Sequence, residues 1–252
     1  MTTRIALVTG GSRGLGRSSA LHLADRGVDV IFTYKSSAEA ARAVVEEIER
    51  KDRKAIALPL DVGDSAAYPA FADAVKSALA KHWQRERFDA LLNNAGTGVY
   101  ASFAETTEAQ FDELVRVHLK ATMFLTQRLL PLIEDGGRIL NVSTGLARFT
   151  FPGYAAYAAM KGGIEVLTRY MAKELGPRKI TVNTLAPGAI ETDFGGGVVR
   201  DNKQLNQQIA GMTALGRVGV PDDIGDAVAL LLAPEAAWIT GQRIEVSGGM
   251  LL

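Results

Sequence analysis

The sequence predicts an α/β fold, a single doubly wound domain with about seven parallel strands and helices on both faces. Short β-rich runs alternate with longer helical patterns from one end of the chain to the other. Several of the runs are apolar without a period of two, as strands covered by helices on both sides are. No Pro/Gly/Ser linker, repeat or low-complexity tract interrupts the series, so residues 1–252 read as one domain.

The runs, in order, are Ile5–Val8, Val30–Thr33, Ala55–Leu58, Ala90–Leu92, Arg138–Val142, Thr181–Leu185 and Ile244–Val246. The segments between them are long enough for right-handed helical crossovers. One stretch departs from the rhythm: across residues 192–217, Gly195-Gly196-Gly197 leads into a polar amphipathic segment between two strands. Because it follows the carboxyl end of a strand, it is expected to cover a pocket as a lid.

At 252 residues and 47% apolar content the chain can bury a sizeable core. Its 28 basic and 28 acidic residues cancel, giving no global electrostatic drive toward nucleic acid or an anionic membrane. The absence of cysteine excludes disulfides, zinc–thiolate sites and a cysteine nucleophile, and no metal site is expected. Met1-Thr2-Thr3-Arg4 runs straight into an apolar strand, and no apolar run approaches the roughly 20 residues that span a bilayer. The expectation is a soluble, cytoplasmic protein.

Thr9-Gly10-Gly11-Ser12-Arg13-Gly14-Leu15-Gly16 follows the first strand and opens a helix that Gly27 ends. Glycines permit backbone angles and close approaches that side chains forbid, and a helix amino terminus offers free N–H groups to a pyrophosphate. Gly10, Ser12, Arg13, Gly14, Leu15 and Gly16 are therefore candidate dinucleotide contacts in a Rossmann-type βαβ unit. At the end of the second strand an acidic residue would hold the ribose 2′-hydroxyl of NAD. Tyr34, Lys35 and Ser36 stand there instead, with Arg13 nearby, and this set suits a 2′-phosphate. NADP(H) is preferred on this reading, with NAD(H) possible.

In open α/β sheets ligands bind beyond the carboxyl ends of strands. Small hydrogen-bonding residues recur at that edge: Asp61-Val62, Asn93-Asn94-Ala95-Gly96, Ser143-Thr144-Gly145 and Pro187-Gly188-Ala189-Ile190-Glu191-Thr192. Each alone reads equally well as an ordinary turn. Downstream of Ser143-Thr144, Tyr157 and Lys161 lie one helical turn apart on one face. A cation there would favour the phenolate and lower the Tyr157 pKa from about 10, making it a general acid–base.

Jointly these motifs, with the ending Thr240-Gly-Gln-Arg-Ile-Glu-Val-Ser-Gly-Gly249, resemble the short-chain dehydrogenase/reductases, and the likeness spans the whole chain. The chain is similar to bacterial 3-oxoacyl-carrier-protein reductases and their ketoreductase relatives. The resemblance implies a NAD(P)(H)-dependent carbonyl reductase or alcohol dehydrogenase in which Tyr157 exchanges the proton with the substrate oxygen. Lys161 would hold the nicotinamide ribose, Asp61 and Val62 the adenine, and Asn94, Ala95 and Gly96 the adenosine side. Ile190 and Thr192, following Pro187 and Gly188, would line the nicotinamide. The substrate-binding hydroxyl falls at Thr144, with Ser143 in reserve. His118 takes the place where the family often has a relay asparagine; relay and structural roles are both open to it.

The implied partner is a small or medium carbonyl or alcohol. Phe149, Phe151, Tyr154 and Phe194 flank the expected pocket and suit an apolar or aromatic ligand, or else pack the lid. A dedicated carrier-protein reductase would need a basic rim, which Arg148, Arg178, Arg200 and Lys203 would have to form. A catalytically silent NADP(H)-sensing protein of the same fold is the alternative from another class. The resemblance also implies a homotetramer or homodimer built on the helices around residues 110–130 and 155–175.

Overall fold

A computed structural model describes residues 3–252; Met1 and Thr2, part of the amino-terminal reading above, lie outside the described residues. Seven parallel strands form one sheet in the order β3-β2-β1-β4-β5-β6-β7. They are β1 (Ile5–Val8), β2 (Asp29–Tyr34), β3 (Ala55–Pro59), β4 (Phe88–Asn93), β5 (Ile133–Val142), β6 (Thr181–Pro187) and β7 (Arg243–Val246). The order reverses between β1 and β4, so the β1 and β4 carboxyl ends border the crevice where such sheets bind ligands.

Neighbouring residues of each central strand feed opposite faces of the sheet, which is why these runs are apolar throughout. Val8, Phe32, Leu92, Leu140 and Leu185 pack with α1 (Gly14–Asp25), α2 (Ala38–Glu49) and, near the chain end, a helix at Pro221–Leu231. Leu7, Ile31, Leu91, Ile139 and Val182 pack on the other side, against α3 (Tyr68–Trp83) and the helices that precede and follow β5. Most of these side chains are wholly buried, and each stabilises the fold by about 1.5–3 kcal/mol relative to exposure.

β5 starts five residues earlier than the apolar run predicts. Ile133 pairs with Phe88, both fully buried, and the register then shifts between Phe88 and Ala90. Gly136, at φ +79°, supplies the left-handed backbone within that irregular stretch. The segment expected to be a simple connection is thus a bulged strand start, a geometry that hydrophobic pattern does not encode.

Before β5 the chain makes α4 (Glu108–Leu114), then a π-helical segment at Val115–Lys120, then α5 (Ala121–Leu129). Thr107 and Gln110 form a reciprocal capping box that fixes where α4 begins. After β5 comes the long α6 (Ala155–Leu175), and after β6 the lid-like stretch contains α7 (Val198–Asp201) and α8 (Lys203–Gly211) ahead of α9 (Pro221–Leu231). No helix of the described residues is long and apolar enough to cross a membrane.

Candidate active site

The glycine turn after β1 is shaped by contacts that no other residue would tolerate. A Cβ at Gly16 would stand 2.1 Å from the Gly10 carbonyl oxygen, and one at Gly11 2.6 Å from Phe32. Gly10 and Gly14 adopt positive φ, at +70° and +55°. The turn is stapled to β4 by Thr9, whose hydroxyl accepts from the Asn94 and Ala95 amides at 2.9 and 3.0 Å. The Asn94 side chain donates back to the Thr9 carbonyl at 2.9 Å. Asn94 therefore holds the crevice walls together, a job the sequence reading left unassigned. Helix α1 starts at Gly14 without a side-chain cap, so its first N–H groups remain available to an anion.

At the end of β2, Tyr34 is half-buried while Lys35 and Ser36 are exposed, as is Arg13. Lys35 Nζ reaches Asp61 Oδ2 across the β2–β3 edge at 2.8 Å, and this bond holds the Asp61 carboxyl below its ordinary pKa. Asp61 also accepts from the Gly63 amide, and Val62 is buried beside it. The acidic residue present at this edge is thus already neutralised by a lysine, and the β2 end carries no carboxylate of its own.

On the far side of the crevice, Pro187 ends β6 and Gly188 packs so tightly on Ser247 that a Cβ would lie 2.8 Å from its Cβ. Ile190 bridges to Gly219, and Thr192 lies 3.9 Å from where a Gly14 Cβ would be. The start of α1 and the stretch after β6 therefore face one another across the groove.

The central cluster gathers four of the predicted polar residues. Tyr157, Lys161, Thr144 and His118 are all buried, at 7%, 4%, 9% and 1% exposure. Thr144 neighbours the Tyr157 phenol, and its hydroxyl accepts from the Leu146 amide at 3.3 Å. Lys161 Nζ stands 5.7 Å from the centre of the Tyr157 ring and donates to the Val142 carbonyl at 2.7 Å. The expected lowering of the Tyr157 pKa by Lys161 does not hold here. Burial raises the phenol above its ordinary value, with the neighbouring Thr144 opposing that shift. The same burial lowers the Lys161 ammonium to about 7. Both shifts have one cause, the cost of charge in a dry cluster.

His118 sits in the π-helical segment, where the helix accommodates an irregularity common at functional sites. Its Nε2 donates to the Thr97 carbonyl at 2.8 Å, leaving Nδ1 buried without a protein partner among the described residues. Burial, and then the charge of Lys161, lower its pKa to about 3. The ring meets Tyr157 edge-on at 5.3 Å. At neutral pH it is a neutral imidazole with a free lone pair at the heart of the site.

Ser143, adjacent in sequence to Thr144, is engaged elsewhere: its hydroxyl donates to Glu165 at 2.8 Å. Among the aromatics, Phe149 and Phe151 pack into the lid cluster with Ile209 and Met250 and leave the pocket mouth to others. Phe194 lies 5.6 Å from Tyr157 and against Gly98, and Tyr154 meets Tyr100 edge-on at 5.4 Å. Tyr100, exposed over 74% of its surface, was not singled out by the sequence, since nothing local marks it. Three of the arginines that a carrier-protein rim would need are dispersed. Arg148 binds Glu245, Arg200 binds Asp193 and Asp201, and Arg178 binds Asp135 beside the β5 start, at the opposite end of the sheet.

Comparison with known proteins gives the family of the chain. The family model described as enoyl-(acyl carrier protein) reductase matches residues 10–251. A hydroxynaphthalene reductase-like protein, Arp2 of Metarhizium brunneum, is 35% identical over 98% of this chain and 94% of its own length. The tetrahydroxynaphthalene reductase PfmaG of Pestalotiopsis fici is 35% identical over 98% of this chain and 91% of its own. Among solved structures, the angucycline C-6 ketoreductase LanV with bound NADP superposes with a TM-score of 0.94 at 35% identity, covering 99% of this chain and 96% of that one. The promiscuous reductase LugOII, which catalyses keto-reduction at C1 during lugdunomycin biosynthesis, gives 0.94 at 39% identity over 100% and 99%. The chain belongs to the short-chain dehydrogenase/reductase family and is an oxidoreductase.

Proposed function

We propose that this protein is an NADPH-dependent ketoreductase acting on a small aromatic ketone, with Tyr157 as the proton donor. The observation that carries the reading is the buried cluster of Tyr157, Thr144 and Lys161, with the ammonium 5.7 Å from the centre of the phenol ring, at the edge of a groove that begins at the glycine turn. The residues fit the cofactor: the uncapped start of α1 suits the pyrophosphate, and Lys35, Ser36 and Arg13 suit the 2′-phosphate. When bound, NADPH supplies a hydride to the carbonyl carbon.

The chain's own groups handle the oxygen. Thr144 donates a hydrogen bond that orients the carbonyl, and Tyr157 gives its phenolic proton to the oxygen as negative charge develops there. Lys161 stabilises the phenolate left behind. His118, held neutral, offers Nδ1 as an acceptor to a donor in the same cluster. The raised pKa of buried Tyr157 keeps the phenol protonated, the form a reduction consumes.

Aromatic substrates are favoured by Phe194, Tyr154 and Tyr100 around the phenol, and by relatives that act on naphthol and angucycline ring systems. A dedicated carrier-protein reductase is disfavoured by the ion pairs that occupy Arg148, Arg178 and Arg200. The test is consumption of NADPH and NADH across a panel holding fused-ring aromatic ketones, simple aliphatic ketones and an acetoacetyl thioester. Reduction of the aromatic members with a preference for NADPH supports the reading. Tight NADPH binding with no turnover on any member would identify a nucleotide-sensing protein instead.

A further inference from the structure

Ser143 and Thr144 are neighbours at the end of β5, yet a single ion pair holds both from behind. Glu165 stands one turn beyond Lys161 on α6, and its Oε1 accepts from Ser143 Oγ at 2.8 Å and from Arg243 Nε at 2.8 Å. Arg243, the first residue of β7, sends Nη2 to the Thr144 carbonyl at 3.2 Å and Nη1 to Glu245 at 2.8 Å. Among the described residues β7 pairs only with β6, so this guanidinium reaches across β6 to the β5 end. The two side chains are 14% and 23% exposed, partly withdrawn from screening by salt.

We propose that Glu165 and Arg243 are positioning residues for the reduction: their pair clamps the Ser143 hydroxyl and the Thr144 carbonyl against α6 and thereby sets where the Thr144 hydroxyl stands relative to Tyr157. The inference rests on the ketoreductase reading above. Tyr157 and Lys161 ride on α6, whereas Thr144 rides on the strand end, so the gap between the two hydroxyls depends on how strand and helix are locked together. The lock is a fork. Arg243 uses three nitrogens in three directions, a geometry that a lysine ammonium on a flexible stem cannot reproduce. A misplacement of about 1 Å at such a site costs on the order of 100-fold in rate.

A double-mutant cycle between Arg243→Gln and Thr144→Val tests this, using an aromatic ketone that the wild-type protein reduces. Arg243→Gln is expected to lower kcat/KM by about 10- to 100-fold while the NADPH dissociation constant changes by less than about twofold. Because Arg243 acts through Thr144, the double variant should be no more than about twofold worse than the more impaired single variant. Arg243→Lys should recover only part of the loss, and Glu165→Gln should reproduce most of it. Losses that multiply in the double variant, full activity in Arg243→Gln, or a fall in NADPH affinity as large as the fall in turnover would each overturn the proposal. A wild-type protein inert toward every ketone would remove the ketoreductase reading and this inference with it, whereas an active wild type with multiplying losses removes the inference alone.

Discussion

At the scale of single residues, burial sets the protonation states. Tyr157→Phe removes the proton donor while leaving the ring's packing, so turnover should fall by about 10²- to 10⁴-fold with NADPH binding retained, as fluorescence titration would show. His118 makes a distinct prediction for stability. Its folded pKa, about 3, lies below the unfolded value of about 6.5, so the unfolded chain binds the extra proton in between. Stability from this group is therefore complete above pH 6.5 and declines as pH falls toward 3. Between pH 7 and 5 the wild-type protein should lose about 2 kcal/mol more than His118→Asn, measured by urea unfolding. Equal losses in the two proteins would show that His118 is not held neutral by burial. The sequence could name Tyr157 and Lys161 from their spacing, and Thr144 and His118 only through the family resemblance. It could not give the direction of the Tyr157 shift, since i, i+4 spacing reports the proximity of a charge and not how dry the cluster is. Nor could it separate Ser143 from Thr144, whose partners, Glu165 and Tyr157, come from α6.

At the scale of elements, two turns carry the function. In the glycine turn, Gly16→Ala would place a methyl group 2.1 Å from the Gly10 carbonyl, which forces the turn open. NADPH affinity should fall by at least about tenfold, read by the same titration, because the backbone could no longer approach a pyrophosphate. At the β2 end, Lys35→Glu should reverse the preference between NADPH and NADH in steady-state kinetics, since it replaces the cation with the carboxylate that suits a free ribose hydroxyl. After β6, Gly195, Gly196 and Gly197 all have φ between +62° and +80°, so Phe194 is followed by a backbone that only glycine adopts without strain. That triplet, and the lid-like run after it, were visible in the sequence. The π-helical segment around His118 and the bulge in β5, where residues 134–137 lie opposite the single β4 residue Asp89, were not: both are local irregularities, and neither disturbs the hydrophobic pattern.

At the scale of the whole molecule, the fold was legible because the central strands are buried on both faces. Pairs such as Leu91–Leu92 and Ile139–Leu140 serve two cores at once, so their apolar runs stand out without knowledge of contacts. Leu91→Ala should accordingly cost about 2–5 kcal/mol in chemical unfolding. The outer helices carry another message. Phe111, Met123, Phe124, Val166 and Tyr170, from α4, α5 and α6, remain 41–66% exposed, more apolar surface than scattered single residues would give. This supports assembly into a homotetramer or homodimer through those helices, and light scattering after size exclusion should return a multiple of the 26.9 kDa chain mass. What sequence could not supply at this scale was the joining of distant parts, such as Arg243 on β7 with Thr144 and Glu165. The measurement closest to the central claim compares NADPH oxidation and alcohol formation with a fused-ring aromatic ketone, in the wild-type protein and in Tyr157→Phe. The wild type should form one alcohol for each NADPH consumed, while the variant binds NADPH and turns over at less than about one hundredth of that rate. A wild-type protein that binds NADPH yet leaves every such ketone unreduced, or a variant that keeps full activity, would contradict the assignment of Tyr157 as the proton donor of a ketoreductase.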